Sequence, residues 1–173
     1  SDEENENSNF LEKMYPWKKN ITCCGLGDGI ELKQSFPEIQ FTKVYQGESL
    51  PFDDNFFDIS YSNAVLEHVG SFELRSAFIS EQLRVAKKSF IAIPNRWFPV
   101  EHHTGLPLLH FSPYIFRIAT KLSNYSYWSA PENLEFLGQA EVENNWPEKD
   151  LPKFLYSGLK LGILSSNLII YKD

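Results

Sequence analysis

The chain has 173 residues, 42% of them hydrophobic and 23% charged, which suits one ordinary globular domain and excludes a fibre or a disordered tail. Sixteen basic against 23 acidic side chains leave a net charge of −7, the wrong sign for a general nucleic-acid binder, which needs a cationic face. No apolar run approaches the roughly 20 residues that span a bilayer. Together with two adjacent cysteines, Cys23 and Cys24, that cannot frame a disulfide scaffold, this points to a reducing cytoplasm.

Residues 1–9 carry four acids and no apolar side chain, so they are expected to be mobile and to add nothing to a core. Met14 is the sole methionine, so Ser1 reads as a cut rather than an initiator position. Ser8 or Asn9 is placed to cap a short helix through FLEKMYPWKK, interrupted by Pro16. Ile21–Cys24 is a β-prone run closed by Gly25, Gly27 and Gly29. After a brief ELKQSF segment, residues 39–45 alternate apolar and polar at period two, as do residues 57–62 after the turn-rich GESLPFDDN. Residues 72–87 read as a helix, and 89–94 (SFIAIP) as a strand buried on both faces of a parallel sheet. Between Trp97 and Trp128 the chain turns rich in aromatics, prolines and histidines, with one helical candidate at 113–122. A helix over 133–146 and closing strands at 153–156 and 167–171 complete an α/β pattern.

Two stretches, ESLPFDDNFFDISYSNAVLEHVGSF (48–72) and EQLRVAKKSFIAIPNRWFPVEHH (81–103), together resemble the class I S-adenosylmethionine-dependent methyltransferases. The resemblance is to the type 11-like branch with an LPF-x-D turn, then SNAVLEHV, then PNRWFP, and it covers about Phe10 to Asp173. It implies a single Rossmann-like domain over 1–173 with helices on both faces of the sheet, and S-adenosyl-L-methionine as cofactor. The implied activity is methyl transfer to a small-molecule or lipid-like acceptor; the rival is a methyltransferase-like binding domain without catalysis, or a fragment unable to bind cofactor.

Open parallel sheets bind ligands beyond the carboxyl ends of their strands. That rule selects Gly25, Asp28, Gln46, Gly47, Glu48, Ser62, Asn63 and Ala64 as the candidate cofactor residues. The glycines at 25–29 invite reading as the family's first glycine loop. Only 20 residues separate Gly29 from Leu50, however, too few for the strands and helices that should follow, since one βαβ unit takes roughly 30. The alternative alignment makes Ile21–Cys24 the second strand of the family order 3-2-1-4-5-7-6. The first strand then lies upstream of Ser1, unless Ile21–Cys24 takes the central place in a reduced sheet.

By resemblance, Asp28 stands for the acid that accepts from the ribose hydroxyls, although a plain turn role fits it as well. Gln46 stands where the family often has an aspartate facing the adenine. Asp58 reads as structural, Glu81 and Arg84 as an ion pair or cap, and the two cysteines as buried strand residues. His68, His102 and His103 are the candidate catalytic bases, each with a bland alternative as a capping or loop residue. His102 and His103 are adjacent, not at i, i+4, so no helical metal pair is expected and no metal is assigned. The aromatic stretch 97–128 is expected to form the acceptor pocket or its lid, or a contact between copies of the chain.

Overall fold

The computed structural model describes residues 9–173, so the expectation for the acidic leader falls, Asn9 apart, outside the described residues. Two compact units emerge, Ser1–Pro51 and Phe52–Asp173.

The first unit holds helix α1 (Phe10–Met14), strand β1 (Thr22–Gly25), helix α2 (Ile30–Ser35) and strand β2 (Gln40–Lys43). Helix α1 is shorter than its sequence predicts. Pro16 disfavours helical geometry at Tyr15, and the chain turns extended there. Asn9 sits at the helix start in a left-handed conformation (φ 57°) and its side chain makes no cap bond. Strands β1 and β2 pair in parallel, from Thr22 with Gln40 to Gly25 with Lys43. Ile21, Leu32 and Ile39 form a small buried core against Phe36 and Phe41. Gly29 opens α2 at φ 64°, where any Cβ would overlap the Phe41 ring. Cys24 is exposed and Cys23 only half-buried, which corrects the reading of both as buried. Burial, with the nearby Glu12 carboxylate, pushes the Cys23 thiol up to about 12.

The second unit carries β3 (Phe57–Asn63), α3 (Phe72–Arg84), β4 (Ala86–Pro94), α4 (Pro113–Lys121), α5 (Gln139–Asn145), β5 (Lys153–Leu161) and β6 (Leu164–Lys172). Its sheet has the order β3-β4-β6-β5, with β3 and β4 parallel and the β5–β6 hairpin antiparallel. β4 is paired on both sides, as its apolar sequence requires, and Ile91 and Ile93 are about 1% exposed. They meet Leu66, Ile79, Leu168 and Ile170 in the main core. A smaller core gathers Phe116, Leu134 and Phe136, with Leu106, Leu109 and Trp128 packed around it.

Two helices stop short of their predicted length because backbone groups find better partners. Ala86 and Lys87 leave the expected helix for β4, where Ala86 pairs with Phe57 and the following Lys88 with Ile59. Residues 133–137 are not helical: Glu135 N–H donates to Glu67 O at 2.9 Å, and Arg96 N–H to Leu137 O at 3.1 Å. Asp58 pairs with Lys87 at 2.8 Å, and Arg84 bridges Glu81 and Asp54, so these groups are structural as expected.

Candidate active site

The segments that follow β3 and β4 meet, because the two strands are parallel neighbours and end on the same side. After β3 the chain makes a left-handed step at Ala64 (φ 52°) and a one-turn helix at Leu66–His68. Such a step is costly for a residue with a Cβ and is usually kept where function needs it. After β4, Asn95 is buried and fixes the strand end. Its Nδ2 donates to Ser165 O at 2.9 Å, and its Oδ1 accepts from Trp97 N–H at 3.1 Å. Arg96 pairs with Glu141 and lies over the Trp97 ring, 4.9 Å from its centroid. The PNRW stretch is therefore a structural clasp at the mouth of a cleft.

In that cleft two imidazoles face each other, His68 Nε2 lying 3.1 Å from His103 Nε2. His68 Nδ1 donates to Asn133 O at 2.6 Å. His103 Nδ1 donates to Glu101 Oε1 at 2.8 Å. Trp128 covers the pair, its ring 4.7 Å from that of His103 and 5.6 Å from that of His68.

Glu101 is 4% exposed and accepts four hydrogen bonds: from His103 N–H, His103 Nδ1, Thr104 N–H and Thr104 Oγ1. Burial alone would raise its pKa. The bonds from His103 and Thr104, with the charge of His103, overcome that and bring it down to about 2. Glu67 is the opposite case. It is 2% exposed and neither carboxylate oxygen has a hydrogen-bond partner. Burial raises it to about 7 against the weaker lowering by its own backbone amide and by His103. Burial also lowers the pKa of His68, partly offset by its bond to Asn133.

Of the predicted catalytic histidines, the structure brings His68 and His103 together and leaves His102 exposed beside Phe98. His110 is buried and donates from Nε2 to Phe98 O at 2.9 Å. Sequence reasoning missed the junction of His68 with His103, 35 residues apart, and the contrast between Glu67 and Glu101. A signal existed: both motifs directly follow strands expected to be parallel neighbours.

Among the candidate cofactor residues, Ser62 is buried at the end of β3 with an unpartnered hydroxyl, and Asn63 and Ala64 are exposed beside it. In the first unit, Gly47 (φ 80°) turns the chain after β2, with Glu48 N–H donating to Tyr45 O at 3.2 Å. Gln46, Gly47 and Glu48 are exposed there. The Asp28 carboxylate is exposed, pairs with Lys43 at 2.6 Å, and is held below the usual range by that bond. β1 pairs with β2 alone among the described residues, so it takes no central place in a reduced sheet.

Residues 24–92 match the family model of a methyltransferase domain. The chain has the fold of the Rossmann-like methyltransferases. Its sheets, β2-β1 and β3-β4-β6-β5, reproduce strands 3-2 and 4-5-7-6 of the family order. Under the order that the resemblance implies, Thr22–Gly25 stands for the second strand, and the first has no counterpart among the described residues.

Solved structures agree on the fold. A methyltransferase of Methanosarcina mazei aligns with 87% of this chain and 79% of its own, at 16% identity and a TM-score of 0.54. A Pyrococcus horikoshii protein aligns with 94% and 74%, at 14% identity and 0.57. A methyltransferase of Thermotoga maritima aligns with 86% and 70%, at 13% identity and 0.51. No curated protein matches the sequence. No helix among the described residues is long and apolar enough to cross a membrane.

Proposed function

We propose that this chain transfers a methyl group from S-adenosyl-L-methionine to an acceptor with a sizeable apolar part. The observation that carries the reading is the polar cluster beyond the carboxyl ends of β3 and β4, where sheets of this class place their chemistry. The cofactor supplies a sulfonium-activated methyl group, so the protein's work is holding, aligning and excluding water.

The residues present fit such a cofactor in kind. Gly25, Asp28, Gln46, Gly47 and Glu48 would hold the adenosine. Asp28 would leave its exposed ion pair with Lys43 to accept from ribose hydroxyls. Ser62, with its unpartnered buried hydroxyl, and Asn63 and Ala64 would line the end nearer the reaction.

An acceptor oxygen or nitrogen loses its proton as it is methylated, and the facing Nε2 atoms of His68 and His103 are the group to receive it. Glu101 holds His103 in the tautomer that leaves Nε2 free. His102 is exposed near the cleft and would orient a polar end of the acceptor. Apolar recognition is the role proposed for residues 97–128, with Trp97, Tyr114 and Ile115 each more than half exposed. Phe116 in the same stretch is fully buried and belongs to the core instead.

Calorimetric titration with the cofactor, then methyl-transfer assays over apolar and polar acceptors, test this. Binding with turnover of apolar acceptors, and a rate at least ~100-fold lower for His103→Ala, is expected. Asp28→Ala should weaken cofactor binding by about 1–3 kcal/mol. No cofactor binding by a folded chain would favour a binding domain without catalysis.

A further inference from the structure

We propose that Glu67, His68 and His103 form a site for a divalent transition-metal ion of the zinc type. The argument starts from where the imidazole protons must be. A carbonyl oxygen can only accept, so the 2.6 Å contact with Asn133 O puts the His68 proton on Nδ1. Glu101 accepts on its two oxygens from His103 N–H, Thr104 N–H and Thr104 Oγ1, so the 2.8 Å contact puts the His103 proton on Nδ1 as well. With each ring donating from Nδ1, the two Nε2 atoms are left facing each other across 3.1 Å. Two lone pairs at that distance repel, and the contact needs a positive charge between them.

Beside this gap lies the Glu67 carboxylate, 2% exposed, with Oε1 3.9 Å from His68 Nε2 and neither oxygen hydrogen-bonded. One ligand atom from each of the three residues lies within 4.8 Å of the others. A tetrahedral ion with bonds of about 2.0–2.1 Å needs ligand atoms about 3.3–3.5 Å apart, so rotation of the Glu67 side chain closes the set.

The outer partners of such a site are already in place. Metal-bound histidines donate their other ring N–H to a carboxylate or a backbone carbonyl, and here Glu101 serves His103 while Asn133 O serves His68. Two imidazoles and one carboxylate suit zinc, cobalt, nickel or iron(II) and not calcium or magnesium, which prefer all-oxygen sets. Glu67 and His103 both line the cleft that runs past Asn95 and Arg96, so a fourth position would open towards it. Three protein ligands and one open position is the pattern of catalytic zinc. The ligand set rests on the geometry alone. Only its use rests on the methyl-transfer reading: in a metal-loaded chain the Nε2 atoms are ligands and not the base, and the ion would instead lower the pKa of an acceptor or of a bound water.

The test uses the chain without an affinity tag, stripped with chelator, and the metal alone as probe. Co²⁺ should give the visible d–d bands of a tetrahedral site at one equivalent, and Zn²⁺ should bind by calorimetry with a dissociation constant of about 10 µM or below. Removing a ligand, in His68→Ala or His103→Ala, should weaken Zn²⁺ binding by about 100-fold or more. Glu67→Gln keeps the side-chain shape without a charge, and Glu101→Gln sets an amide against the donors that orient His103; each should weaken it by about 10–100-fold. His102→Ala and Cys24→Ser should leave it unchanged. Circular dichroism establishes that each variant is folded. If the folded chain shows no d–d bands and binds Zn²⁺ only at millimolar concentration, or if His103→Ala and Glu67→Gln bind it as the native chain does, the site is overturned and a shared proton fills the gap. Metal titration needs no cofactor or acceptor, so its failure and the failure of methyl transfer are read separately.

Discussion

Glu67→Gln should make the protein more stable at alkaline pH and leave it nearly unchanged at acid pH. The folded state raises this carboxyl from 4.5 to about 7, because burial outweighs the weaker lowering by its own backbone amide and by His103. A raised carboxyl costs nothing while protonated in both states, below the unfolded value of 4.5. The cost grows as pH rises through the window to about 7 and then levels off. At about 1.4 kcal/mol per pH unit the full penalty is about 3 kcal/mol. Glutamine has the shape of the protonated acid and cannot ionise, so it escapes the penalty.

The assay is urea unfolding of both proteins at pH 5, 6, 7 and 8, with chelator present to keep cations out of the cleft. The difference in unfolding free energy should move in favour of the variant by about 2–3 kcal/mol between pH 5 and pH 8. His68, its pKa lowered by burial, lies beside His103 and Glu101, and Glu101 stays charged throughout the window. All three are common to both proteins and cancel in the difference unless Glu67 couples to them. A difference that stays flat across the four pH values would refute the burial argument for Glu67.

Thr104→Val removes the 2.6 Å bond from Oγ1 to Glu101 and should cost about 1–2 kcal/mol by urea unfolding; no loss would mean that water replaces it. Glu101, brought down to about 2, contributes stability above pH 4.5 that is lost as pH falls towards 2, so Glu101→Gln should flatten the acid limb of a circular-dichroism pH titration. Phe116→Ala opens the smaller core and should cost about 3–5 kcal/mol, whereas Phe111→Ala, at a 39% exposed site, should cost far less. Equal losses would show that the two rings pack alike. Gly158 stands at φ 82° beside the register shift in β5, and a Cβ there would overlap Ser166 Oγ; Gly158→Ala should lower the thermal midpoint, and Ser166→Ala should restore only part of it.

The strands were the legible part of the sequence. Period-two alternation marks Phe57–Ser62, continuous apolar character marks the doubly paired β4, and the spacing from Gly29 to Leu50 points to Thr22–Gly25 as the family's second strand. Helix ends were less legible because they depend on partners distant in the chain. Ala86 has helical propensity, yet its ladder position opposite Phe57 decides its conformation. The site was legible by location and not by composition. Adjacent His102 and His103 draw the eye, but backbone geometry after β4 turns His103 inward and leaves His102 outside. The partner of His103 comes from 35 residues upstream, a pairing that becomes visible only when β3 and β4 are laid side by side.

Two carboxylates flank one histidine pair, and their environments push them to opposite ends of the acid range. Glu101, at about 2, has every lone pair engaged by His103 and Thr104 and is a fixed anion. Glu67, at about 7, has none engaged and changes charge near neutrality. Groups separated in this way divide the labour: the charged one orients an imidazole and the exchangeable one takes up a proton or a cation. An ordinary core would fill the Glu67 position with a leucine, as the preceding residue does at Leu66, which is 1% exposed. Retaining an unpartnered carboxyl at a cost of about 3 kcal/mol makes physical sense where something else supplies its partner during function. The acceptor and the cation proposed for this chain both approach from the cleft side of this cluster. The unsatisfied valence of Glu67 faces that cleft, and the satisfied one of Glu101 is what keeps His103 aimed at it.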